Sequence, residues 1–251
     1  MSYGVRYPSL SGQRSRQFPS AVKWLLIVNI ALFVVYYFAV RVGYGNYFYY
    51  FGLIPRAVVE LFAVWQLFTY MFLHDPLGFS HILFNMLTLY IFGRVLESDW
   101  GSKRFLQFYL ICGVGAALCV IIANALFGNM DTRTIGASGA IYGVLLAYGL
   151  LYPEQIVLFS FLFPIKAKYF VMIIGAIAFL SSFGGSGSGV SHVAHLGGMG
   201  FGYLYLKSRY ARLDLFASLE GRYREWRMRR AKRKFQVYLR KRGSDPNRFV
   251  N

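Results

Sequence analysis

Uncharged runs interrupted by short charged clusters set the pattern of this chain: residues 24–40, 76–93, 105–130, 134–153 and 169–206 carry no Asp, Glu, Lys or Arg. A helix needs about 20 mainly apolar residues to cross the hydrocarbon of a bilayer. The first four runs therefore predict one span each, and the last, nearly twice as long, predicts two. The expected spans are 22–40, 81–94, 105–127, 136–153, 169–183 and 190–206, and the fold class is an all-α integral membrane protein built as a six-helix bundle. Residues 41–80 are too aromatic for a simple connection, and the apolar part at 62–73 is shorter than a span. Aromatic side chains favour the boundary between headgroups and tails, which places this segment in the outer interface. Residues 155–165, broken by Pro164 and followed by Lys166 and Lys168, predict a matching inner interfacial segment.

Composition agrees: 57% hydrophobic residues, 15% charged and a mean hydropathy of +0.44 exclude a soluble globular domain. Charge then gives orientation. Arg6, Arg14, Arg16, Lys23, Arg94, Lys103, Arg104, Lys166 and Lys168 fall on one side of the six-span pattern and Arg41, Arg56 and Arg133 on the other, so the positive-inside rule puts both termini in the cytoplasm. Three parts follow: a cytoplasmic lead at 1–20, a six-span domain at 21–208 and a basic cytoplasmic tail at 209–251. Positions 207–251 hold fifteen Lys or Arg against Asp214, Glu220, Glu225 and Asp245. This excess is expected to touch anionic lipid, at ~1 kcal/mol per basic residue near the surface, and no nucleic-acid partner is expected from the net charge of +17. The lead shows no removable signal, so span one is expected to act as an uncleaved anchor. Cys112 and Cys119 share one helix face, too far apart to bridge, and are expected to pack.

A few polar residues sit where apolar ones are the rule. Ser138 lies in a run of small residues from Gly136 to Gly143, His81 and Asn85 open span two, and His195 opens span six. Small residues alone would mean close helix packing. Spans two, four and six all run from outside to inside, however, and at 1.5 Å per residue His81, Ser138 and His195 share one shallow depth. Gly198 and Gly202 lie on the face of His195, and Gly139 and Gly143 flank the face of Ser138, so the two helices are expected to approach closely enough for serine and histidine to hydrogen bond. Tyr142, one turn below Ser138, is a candidate floor for the imidazole. His81 and Asn85, at i and i+4, point the same way, and with the Ser138 backbone N–H they are candidate donors to a developing oxyanion.

None of the ten acidic residues falls in span two, four or six, so any serine hydrolase here uses a Ser-His dyad. Ala140 replaces the second glycine of the soluble nucleophile elbow. His81, His192 and His195 also share a level, which keeps a histidine-ligated metal or haem protein as an alternative. No carboxylate or cysteine joins them, that reading leaves Ser138 unexplained, and no metal or cofactor is expected. His192 is a rival base, three residues before His195 and closer to the loop.

At these positions the chain resembles the rhomboid family of intramembrane serine proteases. The resemblance rests on Gly-x-Ser-Gly at Gly136–Gly139, Ala-His-x-x-Gly at Ala194–Gly198 and His-x-x-x-Asn at His81–Asn85. It implies a six-transmembrane-helix rhomboid bundle over residues 21–208, Ser138 as nucleophile, His195 as general base and His81 with Asn85 at the oxyanion site. It also implies single-span transmembrane proteins as substrates, cut near the outer face of a bacterial inner membrane. A catalytically inactive rhomboid-like chaperone would be expected to lack Ser138 or His195. Where many family members carry Trp-Arg after span one, this chain has Trp65-Gln66, so its outer loop cannot be anchored by that arginine. The Gly-Ser run at 184–189 is expected to be a movable loop beside the site.

Overall fold

The computed structural model describes residues 20–159, 163–182, 192–208 and 227–228. The expected lead at 1–19, the Gly-Ser loop at 184–189 and nearly all of the basic tail lie outside these residues. The chain divides into two compact units, Met1–Tyr203 and Leu204–Asn251, and the candidate site lies in the first.

Helix α1 (Ser20–Arg41) is mainly apolar and starts on a buried carboxylate: Glu97 accepts the backbone N–H groups of Ala21 and Val22 at 2.8 Å each, and the Ser102 hydroxyl as well. The first N–H groups of a helix have no intrahelical partner, and a negative charge suits that end of the dipole. This explains why Glu97 is buried. It also corrects the expected end of span two near Arg94. Helix α4 (Phe79–Thr88) passes through a wider turn at Leu89–Gly93 into α5 (Arg94–Trp100), so the charged residues 94–99 are helical and the turn into the next helix is made at Gly101, at φ +80°.

Helix α6 (Ser102–Phe127) is the central post. Phe105, Phe108 and Tyr109 are fully buried near its start, and Gly113, Gly115, Ala116 and Ala117 further along give neighbours room to approach. A side chain on Gly113 would overlap Met71, and one on Gly115 would overlap Phe201. Helix α7 (Ser138–Leu151), helix α8 (Ala167–Ser181) and residues 192–208, here α9, complete the helical set. Among the described residues three helices, Ser20–Arg41, Phe79–Trp100 and Ser102–Phe127, are long and apolar enough to cross a membrane; α7 and α8 are apolar but shorter.

The two interfacial segments are built differently from each other. Strand β1 (Ile156–Phe159) pairs antiparallel with β2 (Phe163–Lys166), so the fold is mostly rather than entirely helical. Proline at 164 and β-branched residues at 156, 157 and 165 disfavour a helix there. Residues 42–78 are a chain of short pieces: a 3₁₀ turn at Gly45–Phe51, α2 (Pro55–Glu60), α3 (Gln66–Thr69) and a second 3₁₀ turn at Tyr70–Phe72. Leu53 pairs with Thr134 through two backbone hydrogen bonds of 2.9 and 2.8 Å, tying this segment to the strand of chain that leads into α7.

Candidate active site

The site grows from the first turn of α7. Gly136 takes φ +121°, a conformation L side chains rarely adopt, and its N–H donates to the Tyr70 carbonyl at 2.9 Å. A Cβ at Gly136 would sit 2.9 Å from both Cε1 and Nε2 of His81. The glycine therefore does two jobs: it turns the chain so that the helix begins at Ser138, and it leaves space for the imidazole beside that serine. As the first residue of a 14-residue helix, Ser138 lies among backbone N–H groups that lack intrahelical acceptors.

Ser138 Oγ and His195 Nε2 are 2.9 Å apart. Ser138 is half-buried and His195 is 6% exposed, so the serine is the more accessible of the two and the base is enclosed. The Tyr142 ring stacks on His195 with centroids 4.0 Å apart and planes within 6°, leaving the imidazole little freedom to rotate. His192 meets His195 edge-on at 5.9 Å and makes no contact with Ser138. Among the described residues nothing hydrogen bonds to His195 Nδ1, so no carboxylate orients the ring.

Glycine contacts explain why serine and histidine meet. A Cβ on Gly198 would run into the Gly139 carbonyl. On Gly143 it would lie 2.5 Å from Cys112 Sγ and 2.9 Å from the Gly198 carbonyl, and on Gly202 it would lie 3.3 Å from Gly143 Cα. These are backbone-to-backbone contacts, which only glycine permits. Helix α6 closes the far side: Gly139 faces Ala116, Gly143 faces Cys112, and Gly197 faces Cys119. Both cysteines are free and occupy the space the glycines leave.

Opposite this pair, α4 presents His81 and Asn85. The Asn85 amide donates to the His81 carbonyl at 2.8 Å, which uses one of its two hydrogens and leaves one for a ligand. The two side chains, with Tyr142, line a cavity of about 360 Å³ between α4, α7 and α8, whose remaining wall includes Phe84, Leu145 and Phe170. Two donors on α4 and a partly apolar hollow beside the first turn of α7 suit a peptide carbonyl.

Several residues that shape the site did not stand out in the sequence. Tyr70 holds Gly136 through its carbonyl, and its hydroxyl donates to the Gly113 carbonyl at 2.7 Å. His74, fully buried, packs its ring against His81. Gln66 accepts the Ile54 N–H at 2.9 Å and donates to the Tyr50 carbonyl at 3.1 Å, while Arg133 donates to the Phe48 carbonyl at 2.9 Å and lies over the Tyr49 ring. Together these two hold residues 48–54 in place. The available signals were weak. His74 is one of only four histidines in an apolar chain, and Gln66 is an uncharged polar residue inside an apolar run.

A family model for the rhomboid domain matches residues 61–211, which is more than half of the chain. The chain belongs to the rhomboid family. It is 33% identical to YdcA of Bacillus subtilis over 143 residues, 56% of this chain and 64% of that one. It is 34% identical to rhomboid protease GluP of the same organism over 149 residues, 59% of this chain and 27% of that one. It is also 35% identical to RHOMBOID-like protein 1 of Arabidopsis thaliana over 149 residues, 59% of this chain and 35% of that one. The matches thus span between about a quarter and two-thirds of these relatives' lengths. Family and apolar helices together make this rhomboid an integral membrane protein.

Proposed function

We propose that this rhomboid is an intramembrane serine endopeptidase working through a Ser138–His195 dyad. The observation that carries the reading is the 2.9 Å contact between Ser138 Oγ and His195 Nε2 at the N-terminus of α7. His195 Nε2 takes the proton from Ser138 Oγ as that oxygen attacks a peptide carbonyl. The negative charge that develops on the carbonyl oxygen is met by the Ser138 backbone N–H, the free amide hydrogen of Asn85 and His81. Collapse returns the proton from His195 to the departing amine and leaves an acyl-serine. Water, deprotonated by the same histidine, then attacks the ester and releases the second product.

The reading includes six spans, with α7, α8 and α9 crossing alongside the three longer helices, and both termini in the cytoplasm. Positive-inside charge supports this arrangement, and it sets Ser138 just below the outer face of what would be a bacterial inner membrane. The substrates are single-span membrane proteins cut near the outer end of the span. An intact helix hides its carbonyls in axial hydrogen bonds, so the substrate must unwind locally, and Gly or Pro, at ~1 and ~3 kcal/mol in a helix interior, favour that. The basic tail is assigned to anionic lipid.

The test incubates detergent-purified protein with a single-span substrate beside a Ser138→Ala control. Cleavage by the parent and none by the variant is expected, with His195→Ala equally silent and the double variant no worse, because the dyad acts as one unit. Cleavage by purified Ser138→Ala would overturn the assignment. Asn85→Ala is expected to lower turnover ~10²- to 10³-fold, the usual cost of one oxyanion donor.

A further inference from the structure

His74 stands outside the reaction just described, and its surroundings are unusual for a histidine. It is 0% exposed, and neither ring nitrogen has a hydrogen-bond partner among the described residues. The Phe72 carbonyl interacts with one ring nitrogen without the geometry of a full hydrogen bond. Leaving a buried polar group unpaired costs ~1–3 kcal/mol, and leucine would fill the same space without that cost. A side chain kept under such conditions calls for an explanation.

Its neighbour supplies one. The His74 and His81 rings lie 5.1 Å apart, inclined at 58°. That angle excludes stacking and turns the edge of one imidazole toward the other. His81 Nε2 is likewise buried without a partner among the described residues, and the edge of the ring that carries it faces Gly136 beside Ser138. Two buried imidazoles with uncommitted nitrogens, packed ring against ring, restrict each other's rotation. The backbone around His74 is held as well: Tyr70, four residues earlier, is tied to Gly136 and Gly113, and the His81 N–H donates to the Gly78 carbonyl at 2.9 Å.

Resting on the proposed protease reading, we infer that His74 is a positioning residue for His81. Packed against it, His74 holds the His81 imidazole in one tautomer and one orientation, with its donor aimed at the carbonyl oxygen under attack. His74 touches neither substrate nor Ser138. Its contribution is to remove the rotation and tautomer exchange that a lone imidazole at the edge of a cavity would otherwise keep.

Two measurements on the full-length protein test this. In His74→Leu, kcat is expected to fall ~10- to 100-fold, the scale on which small misplacements act, with KM and the cleavage position unchanged. The thermal midpoint should hold or rise, because two orphan nitrogens have been removed. His74→Gln, which can still hydrogen bond, should recover part of the loss. Independently of catalysis, ¹⁵N-histidine labelling gives four imidazole pairs, one for each histidine of the chain, and His81→Ala assigns the relevant pair. In the parent that pair should show one fixed tautomer, and in His74→Leu its two nitrogen signals should move toward each other. Unchanged His81 signals in His74→Leu, or a kcat loss matched by a lowered melting temperature and not relieved by glutamine, would overturn the assignment. If the parent proved inactive the protease reading would fail, and the labelling experiment would still decide whether His74 fixes His81.

Discussion

Between α7 and α9 the chain brings backbone against backbone, with Gly139, Gly143, Gly198 and Gly202 leaving no side chain in the seam. Across residues 42–73 the same chain is broken into short helical turns, and the carbonyls these leave loose are caught one at a time: Phe48 by Arg133, Tyr50 by both Trp65 and Gln66, Phe51 by Thr69. The physical difference is where the backbone hydrogen bonds go. A helix satisfies its own, so two helices can be pressed together with glycine alone. An irregular segment must find a side-chain partner for each group it buries. The first arrangement fixes distances within a few tenths of an ångström, which the Ser138–His195 contact requires. The second holds a segment in place while tolerating exchange of one partner for another.

The sharpest way to break the contrast is to put a side chain in the glycine seam. Gly198→Leu drives atoms into the Gly139 carbonyl and must separate the two helices. Proteolysis should drop to the level of Ser138→Ala, and a thermal melt should show a stability loss on the order of 1–3 kcal/mol for overpacking. Gly200 supplies the control, since nothing lies within 4 Å of a Cβ built there. Gly200→Ala should cleave normally and melt no lower, given alanine's advantage in a helix interior. Parental activity in Gly198→Leu would mean that the seam does not set the dyad.

One step down is Gly136→Ala. Here both the φ of +121° and the His81 ring oppose the new methyl group, but the disturbance stays local to the turn. Turnover should fall ~10²-fold, the scale of a small displacement of the reacting groups, with a smaller loss of stability than in Gly198→Leu. A rate within twofold of the parent would show that the His81 position matters little.

In the outer segment the expected effects reverse, with stability moving more than rate. Gln66→Leu leaves the Ile54 N–H without its acceptor and should cost ~1–3 kcal/mol in a thermal melt, while cleavage per folded molecule stays near parental. Gln66→Arg gives the more pointed comparison. Arginine has donors and no acceptor, so it cannot take the Ile54 N–H. It too should melt lower than the parent, and a rise in melting temperature would show that Gln66 is a mere substitute for the family arginine.

What was legible in the sequence follows the same division. Gly136, Ser138, His81, Asn85 and His195 stood out because glycine and polar side chains are conspicuous in apolar helices, and 1.5 Å per residue turns sequence position into depth. The glycine seam was legible for the same reason. Glu97 was counted as part of a loop, because nothing local says that a carboxylate will cap a helix 75 residues away in sequence. Gln66, Tyr70, His74 and Arg133 act through long-range contacts with backbone groups or with another ring, and periodicity carries no record of such contacts. The hairpin at 156–166 shows a third limit: a short apolar run with proline reads equally well as a strand or as an interfacial turn.

That hairpin carries the smallest expected effect and sharpens the contrast from the opposite side, as a region held by charge. Glu154 accepts from Lys166 at 2.6 Å and Lys168 at 2.5 Å, closing the base of the hairpin. The hydrogen bonds from Lys166 and then Lys168 hold its carboxyl down at about 2, from an ordinary value of 4.5. A carboxylate whose folded value is depressed stabilises the folded state above its unfolded value, and loses that contribution as pH falls through the folded one. The window is therefore pH 4.5 to 2. All three side chains are well exposed, so solvent and salt screen the pair and its contribution is small. Amide exchange of residues 156–166 should accelerate, relative to the intrinsic rate, between pH 4.5 and 2 in the parent. In Glu154→Gln it should already be faster at pH 5 and show no such step. The difference should shrink in 0.5 M salt, as screening of exposed charges requires. Cleavage at neutral pH should be the same in both proteins, because neither lysine nor Glu154 touches α4, α7 or α9. Parallel exchange profiles for parent and Glu154→Gln would mean that pairing of the strands alone, without the charges at their base, holds the hairpin.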